Sequence, residues 1–514
     1  YVWIGTFNEF NVGGSTVSIL TILLFIPLIA VGTIVLFRAD KNAPYRISLM
    51  ASIMLLLGVL YLFVAYPKAP AFDGFKFRQV TPWVDQMGLS YSVGVDGINL
   101  VMLLLTAIVA VAAIGVSSGI KDRAKEYFIC INFIITGAIG AFISLDLFFL
   151  YIFHEFALIP TFILIGLWGQ SIDREKVAMK LTIYLSLGSL ILLAGVLAFF
   201  FALPEGQQTF DLIKIRSLLY DPGYISANVQ TYIYPLMLIG FGILISLFPF
   251  HSWAPQGYAG APAAAAMLHA GVLKKFGLYG LIRVAEPLLP AGAQGWSVVL
   301  GVLLCANIFY VGYVAVAERN LRMMLGFSSV SHMGYIFLGI LAGNTLGISG
   351  AVLYIFGHGL TAAIGFGLAG YIHAQIGHTE MNHLGGLMKK MPFVAVIFMM
   401  AALASVGVPG FANFAGEILI FFGAWSAGWV WFTVIALWGV IISSIYMMRA
   451  IKNIFYGNLS AKHEHVKDLT GTQRWPYLLL TASLLIVGFA PQLLLQYVGP
   501  SVDYWFKFAE VMPK

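Results

Sequence analysis

Apolar runs of about twenty residues, the length that crosses a bilayer, recur along the whole chain, with the charges gathered between them. This pattern predicts an all-α polytopic membrane protein with about 14 transmembrane helices. They fall near 17–37, 47–66, 95–117, 127–145, 147–168, 177–201, 231–249, 262–285, 296–317, 323–342, 347–374, 392–424, 428–452 and 476–498. The segments at 347–374 and 392–424 exceed a straight span, which implies tilt, a break or protruding ends. One stretch departs from the pattern. Between Tyr232 and Arg283 the chain reads FPFHSWAPQGYAGAPAAAAMLHAGVLKKFGLYGLIR, with a break expected over Pro249 to Pro262 and two adjacent lysines, Lys274 and Lys275, on the helix that follows. A lysine at mid-bilayer costs about 2.5–3.5 kcal/mol. A helix broken by proline is tolerated there only where neighbours or water satisfy the freed backbone groups. Both irregularities mark one candidate site.

Composition agrees with a membrane protein. The chain is 60% hydrophobic and only 10% charged, with a mean hydropathy of +0.91, against roughly 25% charge in a soluble domain. A net charge of +6 is small and gives no case for nucleic acid. Cys130 and Cys305 both lie in apolar runs, without the number or spacing of an iron–sulfur or zinc site. His463, Glu464 and His465 in the segment 453–475 fit a solvated polar loop better than a metal site. No glycine-rich nucleotide loop follows a strand, so the many glycines read as helix-packing residues. The chain begins at Tyr1 rather than methionine, which leaves its true N-terminus open.

Charge then orients the helices. With the N-terminus outside, the odd-numbered loops and the segment after helix 13 hold most basic residues, from Arg38, Lys41 and Arg46 to Lys462, Lys467 and Arg474. The other side holds Lys68, Lys76, Arg78, Lys214, Arg216, Arg283, Lys507 and Lys514. Both termini are then non-cytoplasmic, and Lys180, Lys274 and Lys275 remain within the membrane. The longest outer loops are 67–94 and 203–230. The second contains DLIKIRSLLY, an amphipathic pattern suited to the membrane surface.

The intramembrane polar residues are the candidate chemistry. Glu155 sits mid-helix in FFLYIFHEFALIPTFILIGLWG. A carboxylate in hydrocarbon must pair with a cation or take up a proton, and Lys180 on the next helix is a candidate partner. That pair reads either as a static bridge between helices or as part of a proton relay. Lys274 and Lys275 point about 100° apart on an α-helix, so they cannot share one pocket squarely. Two neighbouring ammonium groups away from water repel each other, which suits groups that give up and regain a proton; the bland alternative is that one snorkels to an interface. Glu417 follows Pro409 and Gly410 in SVGVPGFANFAGEILIFFGAW, a second break followed by an acid. Paired breaks in two halves of a chain point to an ion site. Helices 4–8 and 9–13 then make two inverted five-helix repeats with breaks in helices 7 and 12. His154, His251, His269, His332, His358 and His373 are spread among these charges. Singly each reads as a packing residue; as a series they favour a relay. His332 and His358 rank first by position, whereas His154 and His373 are expected near a water interface.

HEFALIPTFILIGLWG, PFHSWAPQGYAGAP, AGVLKKFGLYGLIR, SSVSHMGY, GHGL and GVPGFANFAGE, in this order and spacing, resemble the antiporter-like M-type subunits of respiratory complex I. That superfamily includes Mrp-type sodium/proton antiporters and membrane-bound hydrogenases. The resemblance runs from about helix 4 to helix 13, and the absence of a long lateral helix after helix 14 favours the M type over the L type. It implies a proton-translocating subunit of an NADH:quinone oxidoreductase in a bacterial inner membrane. The partners are then the N-type and L-type antiporter-like subunits and the bilayer. No cofactor is expected in this chain; NADH, flavin, iron–sulfur clusters and quinone belong to other subunits. The division implied is 1–126, a first repeat 127–285, a second 286–457, and 458–514. By motif position Glu155, Lys180, Lys275 and Glu417 take the family's acid and lysine roles, and His332 and His358 connect them. One position departs. The family's helix 7 lysine, five residues before the proline of P-x-H-x-W, is here Leu244. Lys274 compensates, or Lys180 alone pairs with Glu155, or the chain is a divergent paralogue with altered coupling. A cation/proton antiporter subunit and a scaffold without pumping are the competing functions.

Overall fold

The computed structural model describes residues 9–12, 15–36, 41–219 and 224–506. Arg38, Lys507, Lys514 and both chain ends, used above to assign sidedness, lie outside the described residues. A short hairpin, β1 (Glu9–Val12) and β2 (Ser15–Ser18), leads into α1 (Ile19–Leu36) and α2 (Ala43–Ala65). The outer loop expected at 67–94 is a three-stranded antiparallel sheet of β3 (Ala71–Phe72), β4 (Phe75–Val84) and β5 (Leu89–Val95). Then come α3 (Gly97–Val116), α4 (Ala124–Ile143), α5 (Leu147–Trp168) and α6 (Arg174–Ala202). The amphipathic pattern DLIKIRSLLY forms the short helix α7 (Leu212–Leu218), which buries Leu212, Ile215 and Arg216.

α8 (Ala227–Ile245) is followed by a break and the short helix α9 (Trp253–Gly260). The interruption expected as one segment from Pro249 to Pro262 is thus mostly helical, with the true breaks at 246–252 and 261–262. The next segment is one irregular helix. It comprises α10 (Ala263–Leu268), a π-helical turn His269–Leu273, α11 (Lys275–Gly280), a second π turn Leu281–Ala285 and α12 (Glu286–Leu288). α13 (Pro290–Ala306) and α14 (Gly312–Ala317) flank a third π turn, Asn307–Val311. The rest is α15 (Leu321–Leu341), α16 (Thr345–Ile376), α17 (Pro392–Ser405), α18 (Ala412–Ser426), α19 (Val430–Phe455), α20 (Trp475–Phe489) and α21 (Gln492–Phe506). Among the described residues, 11 helices are long and apolar enough to cross a membrane, or up to 12 if the pair α20/α21, bent by 68°, is one span. The expected spans at 262–285 and 392–424 are the interrupted ones, and the span expected at 476–498 is where α20 meets α21.

Helix starts follow local sequence. Asp96, Asp146, Ser226 and Asn320 cap α3, α5, α8 and α15 by accepting hydrogen bonds from the first-turn amides, which otherwise lack partners. α3, α15 and α16 form the buried centre; α1, α2, α6 and α19 keep apolar faces exposed, as lipid requires. α6 packs closely on α8, and α16 on α18, so each broken helix lies against a long unbroken one.

Arg283, assigned above to an outer loop, is fully buried. Its Nη2 donates to Asp96 Oδ1 at 2.6 Å, and the rings of Phe75, Tyr279 and Trp505 surround the guanidinium. Arg216 is likewise buried, donating to the Tyr504 carbonyl at 2.5 Å across the Tyr504 ring. Counting charge by segment misses a cation whose counter-ion or carbonyl comes from elsewhere in the fold. Removing one member of a buried ion pair strands the other charge. Arg283→Met is therefore expected to destabilise the protein by about 3–5 kcal/mol, and Asp96→Asn with Arg283→Met by less than the single change. Thermal unfolding in detergent tests the order; equal stability of the single variant and the wild type would refute it.

Candidate functional site

The first break leaves backbone groups inside the bundle, and side chains meet them. α8 ends where Ser246 takes a left-handed φ of 69°. Asn307, in the π turn between α13 and α14, accepts from Phe248 N at 2.6 Å and donates to Ser246 O at 3.4 Å and Val330 O at 3.1 Å. Trp253 Nε1 donates to Ile243 O at 3.0 Å. The break is therefore a built feature, held by a buried amide and an indole.

Lys274 and Lys275 are 1% and 0% exposed, so neither snorkels to an interface. They diverge as their adjacency requires. Lys274 Nζ donates to Ser329 O at 3.3 Å and Ser329 Oγ at 3.5 Å on α15, and sits 5.8 Å from the Tyr258 ring centroid. Lys275 Nζ lies 2.7 Å from His358 Nδ1 on α16, with Met333 Sδ at 3.9 Å.

Beyond Lys275 and His358 more polar side chains follow. His332 Nε2 is 3.0 Å from Tyr446 Oη, and His332 Nδ1 is 3.2 Å from Tyr354 Oη. Ser328 Oγ meets the same Tyr446 hydroxyl at 3.0 Å. The His332 and His358 rings are 5.8 Å apart. Tyr354 stands one turn before His358 on the same face of α16, and its hydroxyl faces the Glu417 carboxyl. Glu417, 4% exposed, follows the second break, between α17 and α18. Glycines bring it there. A Cβ at Gly416 would fall 2.7 Å from the Tyr354 amide nitrogen, so only glycine lets α18 approach α16 this closely.

Two expected associations do not form. Lys180 Nζ donates to Gln256 Oε1 at 2.9 Å on α9 instead of pairing with Glu155. The break places α9 across α6, so that amide is the polar group within the lysine's reach. Lys274 points toward α15 and does not reach Glu155. The partner of Glu155 is its neighbour His154, with Nδ1 3.3 Å from Oε1. His154 is buried rather than near a water interface, its ring stacked on Phe276 with centroids 4.2 Å apart. His373 is half-buried at the far end of α16. His463 and His465 meet the backbone carbonyls of Leu384 and Gln375, at 3.4 and 3.1 Å. Sequence reasoning missed Asn307, Ser329, Tyr258, Tyr354 and Tyr446. For Tyr354 a signal existed in its spacing of four from His358; the others pair across elements distant in sequence.

Gly407 closes the second break against the acid. Its φ is +81°, and a Cβ there would lie 2.2 Å from Glu417 Oε2. Gly407→Ala is expected to cost about 1–3 kcal/mol through the strained backbone, and to displace Glu417 as well. Gly166→Ala, which faces open space, should stay within about 0.5 kcal/mol. Fluorescence-monitored thermal unfolding separates them, and equal midpoints would contradict the tight seat of Glu417.

Comparison with known proteins bears on what this buried axis belongs to. The family described as NADH:quinone oxidoreductase/Mrp antiporter, transmembrane, matches residues 144–443, which include both breaks, both lysines and both acids. NADH-quinone oxidoreductase subunit M of Rhodobacter capsulatus is 31% identical over 502 residues, 95% of this chain and 96% of that protein. F(420)H(2) dehydrogenase subunit M of Methanosarcina mazei is 32% identical over 478 residues, covering 92% and 94%. A chain of respiratory complex I from Thermus thermophilus with bound NADH superposes with a TM-score of 0.86 at 26% identity, covering 95% of this chain and 99% of that one. With fold and sequence in agreement over nearly its whole length, the chain belongs to the NADH:quinone oxidoreductase/Mrp antiporter family of transmembrane subunits.

Proposed function

We propose that this chain is a proton-translocating membrane-arm subunit of a complex I-type NADH:quinone oxidoreductase, set among other antiporter-like subunits of N and L type. The observation that carries the reading is the row of polar side chains from Lys275 and His358, across a 5.8 Å ring contact to His332, and on through Tyr354 and Tyr446 toward Glu417, inside an otherwise apolar bundle. Intramembrane ionisable groups are expensive, and their convergence in one row favours transport over packing.

In this reading Lys275 is the central carrier. Its ammonium gives a proton to His358 Nδ1 at 2.7 Å; the His332–tyrosine network and intervening water take it on, and Glu417 receives it. Charges this close in a low dielectric shift one another strongly, so neutralising one group drives the next to titrate. Lys180 and Glu155 serve the first half of the chain, residues 127–285, and Glu417 the second, residues 286–457. The two are inverted repeats, a reading favoured by the matching α6·α8 and α16·α18 packing around the two broken helices. Redox chemistry, with NADH, flavin, iron–sulfur clusters and quinone, belongs to other subunits. The basic loops face the cytoplasm and both termini the opposite side.

Lys275→Ala or Glu417→Ala in the assembled complex is expected to reduce proton uptake into vesicles per quinone reduced. Pumping unchanged with assembly intact overturns the proposal. Sodium-dependent transport by a complex that co-purifies without flavin and iron–sulfur subunits would assign the chain to a cation/proton antiporter instead.

A further inference from the structure

A second row of polar groups stands apart from the Lys275 axis. His154 holds Glu155 through Nδ1 at 3.3 Å and is locked in plane by Phe276. It also faces a small cavity between α5 and the π turn at His269–Leu273, lined by His269, Leu244 and Leu185 and closed by Leu273. The space suffices for about one water molecule. Across it, His269 is 5% exposed and its Nδ1 has no hydrogen-bond partner. The rings of Trp253 and Tyr258 hold it, with centroids 5.6 and 5.5 Å away. Tyr258 completes the row: its hydroxyl is buried and unpartnered, and its ring lies against Lys274 as well as His269.

A histidine serving only to pack between two aromatic rings has no need of an unpaired nitrogen, nor of a cavity shared with a second histidine. A buried polar atom left unpaired costs about 1–3 kcal/mol, and such atoms call for a functional account. Leu244, the residue α8 contributes, brings no charge to this cavity. The titratable groups there are the two imidazoles.

We infer that His154 and His269 form a proton relay joining Glu155 to Lys274, taking the place of a cation on α8. The relay rests on the proton-transfer reading above. The step balances without any co-reactant. The Glu155 carboxyl loses its proton to His154 Nδ1, and His154 releases the one on Nε2 into the cavity. His269 Nδ1 takes up a proton from the cavity and releases another from Nε2. The free amine of Lys274 ends as the ammonium, while each ring ends neutral with its tautomer exchanged. From Lys274 the path reaches Ser329 and α15, so the relay meets the second half of the chain.

The test uses the intact complex in vesicles, with proton uptake measured against quinone reduction. His154→Leu, His269→Leu and Lys274→Ala should each lose the same share of uptake, and their combinations no more, since steps in one path are not additive. His269→Gln keeps size and hydrogen bonding but cannot carry the proton; it should assemble normally and show the same loss, which a packing role would not produce. Wild-type uptake by an assembled His269→Gln complex, or losses that add, overturns the relay. Absence of redox-driven uptake in wild-type vesicles overturns the relay and the proposed function together, whereas wild-type uptake with insensitive histidine variants overturns the relay alone.

Discussion

A helix that stops inside a bilayer exposes amides and carbonyls to a medium that cannot bond them, and each such group costs several kcal/mol unless a neighbour supplies the bond. Here Asn307 and Trp253 supply it at the first break, by bonds to Phe248, Ser246, Val330 and Ile243. Much else follows from that repair. Asn307 sits in a π turn, so the irregularity of one helix is matched by irregularity in another. The break frees α9 to run across α6 and α15, which delivers Gln256 to Lys180 and Tyr258 to the space beside Lys274. Polar side chains can then line an interior whose walls are otherwise leucine, isoleucine and alanine.

The same constraint explains why the charged groups come as a series rather than singly. Lys275 with His358, Glu417 facing Tyr354, and Arg283 with Asp96 each find a polar counterpart. The Arg283–Asp96 pair lies beside Phe75 of β4 and the ring of Trp505, where it joins the start of α3 to the irregular helix that carries the lysines. It is the static member of the set. The lysine–histidine contact differs in kind: both groups exchange protons readily, and a 2.7 Å separation leaves a short transfer distance. Rigidity at one end and exchange in the middle fit the proton transfer proposed above.

How much of this could be read from the residues depends on whether the signal is local. Apolar length located 11 of the about 14 expected spans among the described residues, or 12 with the bent pair, and proline with glycine marked both interruptions although the first is mostly helical, because each rule acts within one segment. Lys275, Glu417, His332 and His358 stood out as polar residues in apolar runs; Lys275 meets His358, and Tyr354 links His332 to Glu417. The failures share a cause. Pairing Glu155 with Lys180 assumed that neighbouring helices present their charges to each other, but the break inserts α9 and its Gln256 beside Lys180. Placing Arg283 outside assumed that a cation near a helix end is solvated, but Asp96, almost two hundred positions away, is its partner. The π turn at His269–Leu273 has no sequence rule of its own, yet it immediately precedes both lysines and turns His269 into the cavity.

Leu244 and Lys274 are best understood together. Position 244 is where the resemblance expects a lysine, and the structure puts an apolar side chain there, 3% exposed, against the cavity of His154 and His269. Had a cation stood on α8, it would have been a member of the first half only, close to Glu155. The lysine at 274 stands instead on the helix after the break and bonds Ser329 of α15. From Ser329 it is one residue to Ser328, whose hydroxyl meets Tyr446, itself bonded to His332. The direct bonds of Lys274 thus run toward α15 and not toward Glu155. In the relay inferred above, the link back to Glu155 falls to His154 and His269, which share the cavity that Leu244 lines.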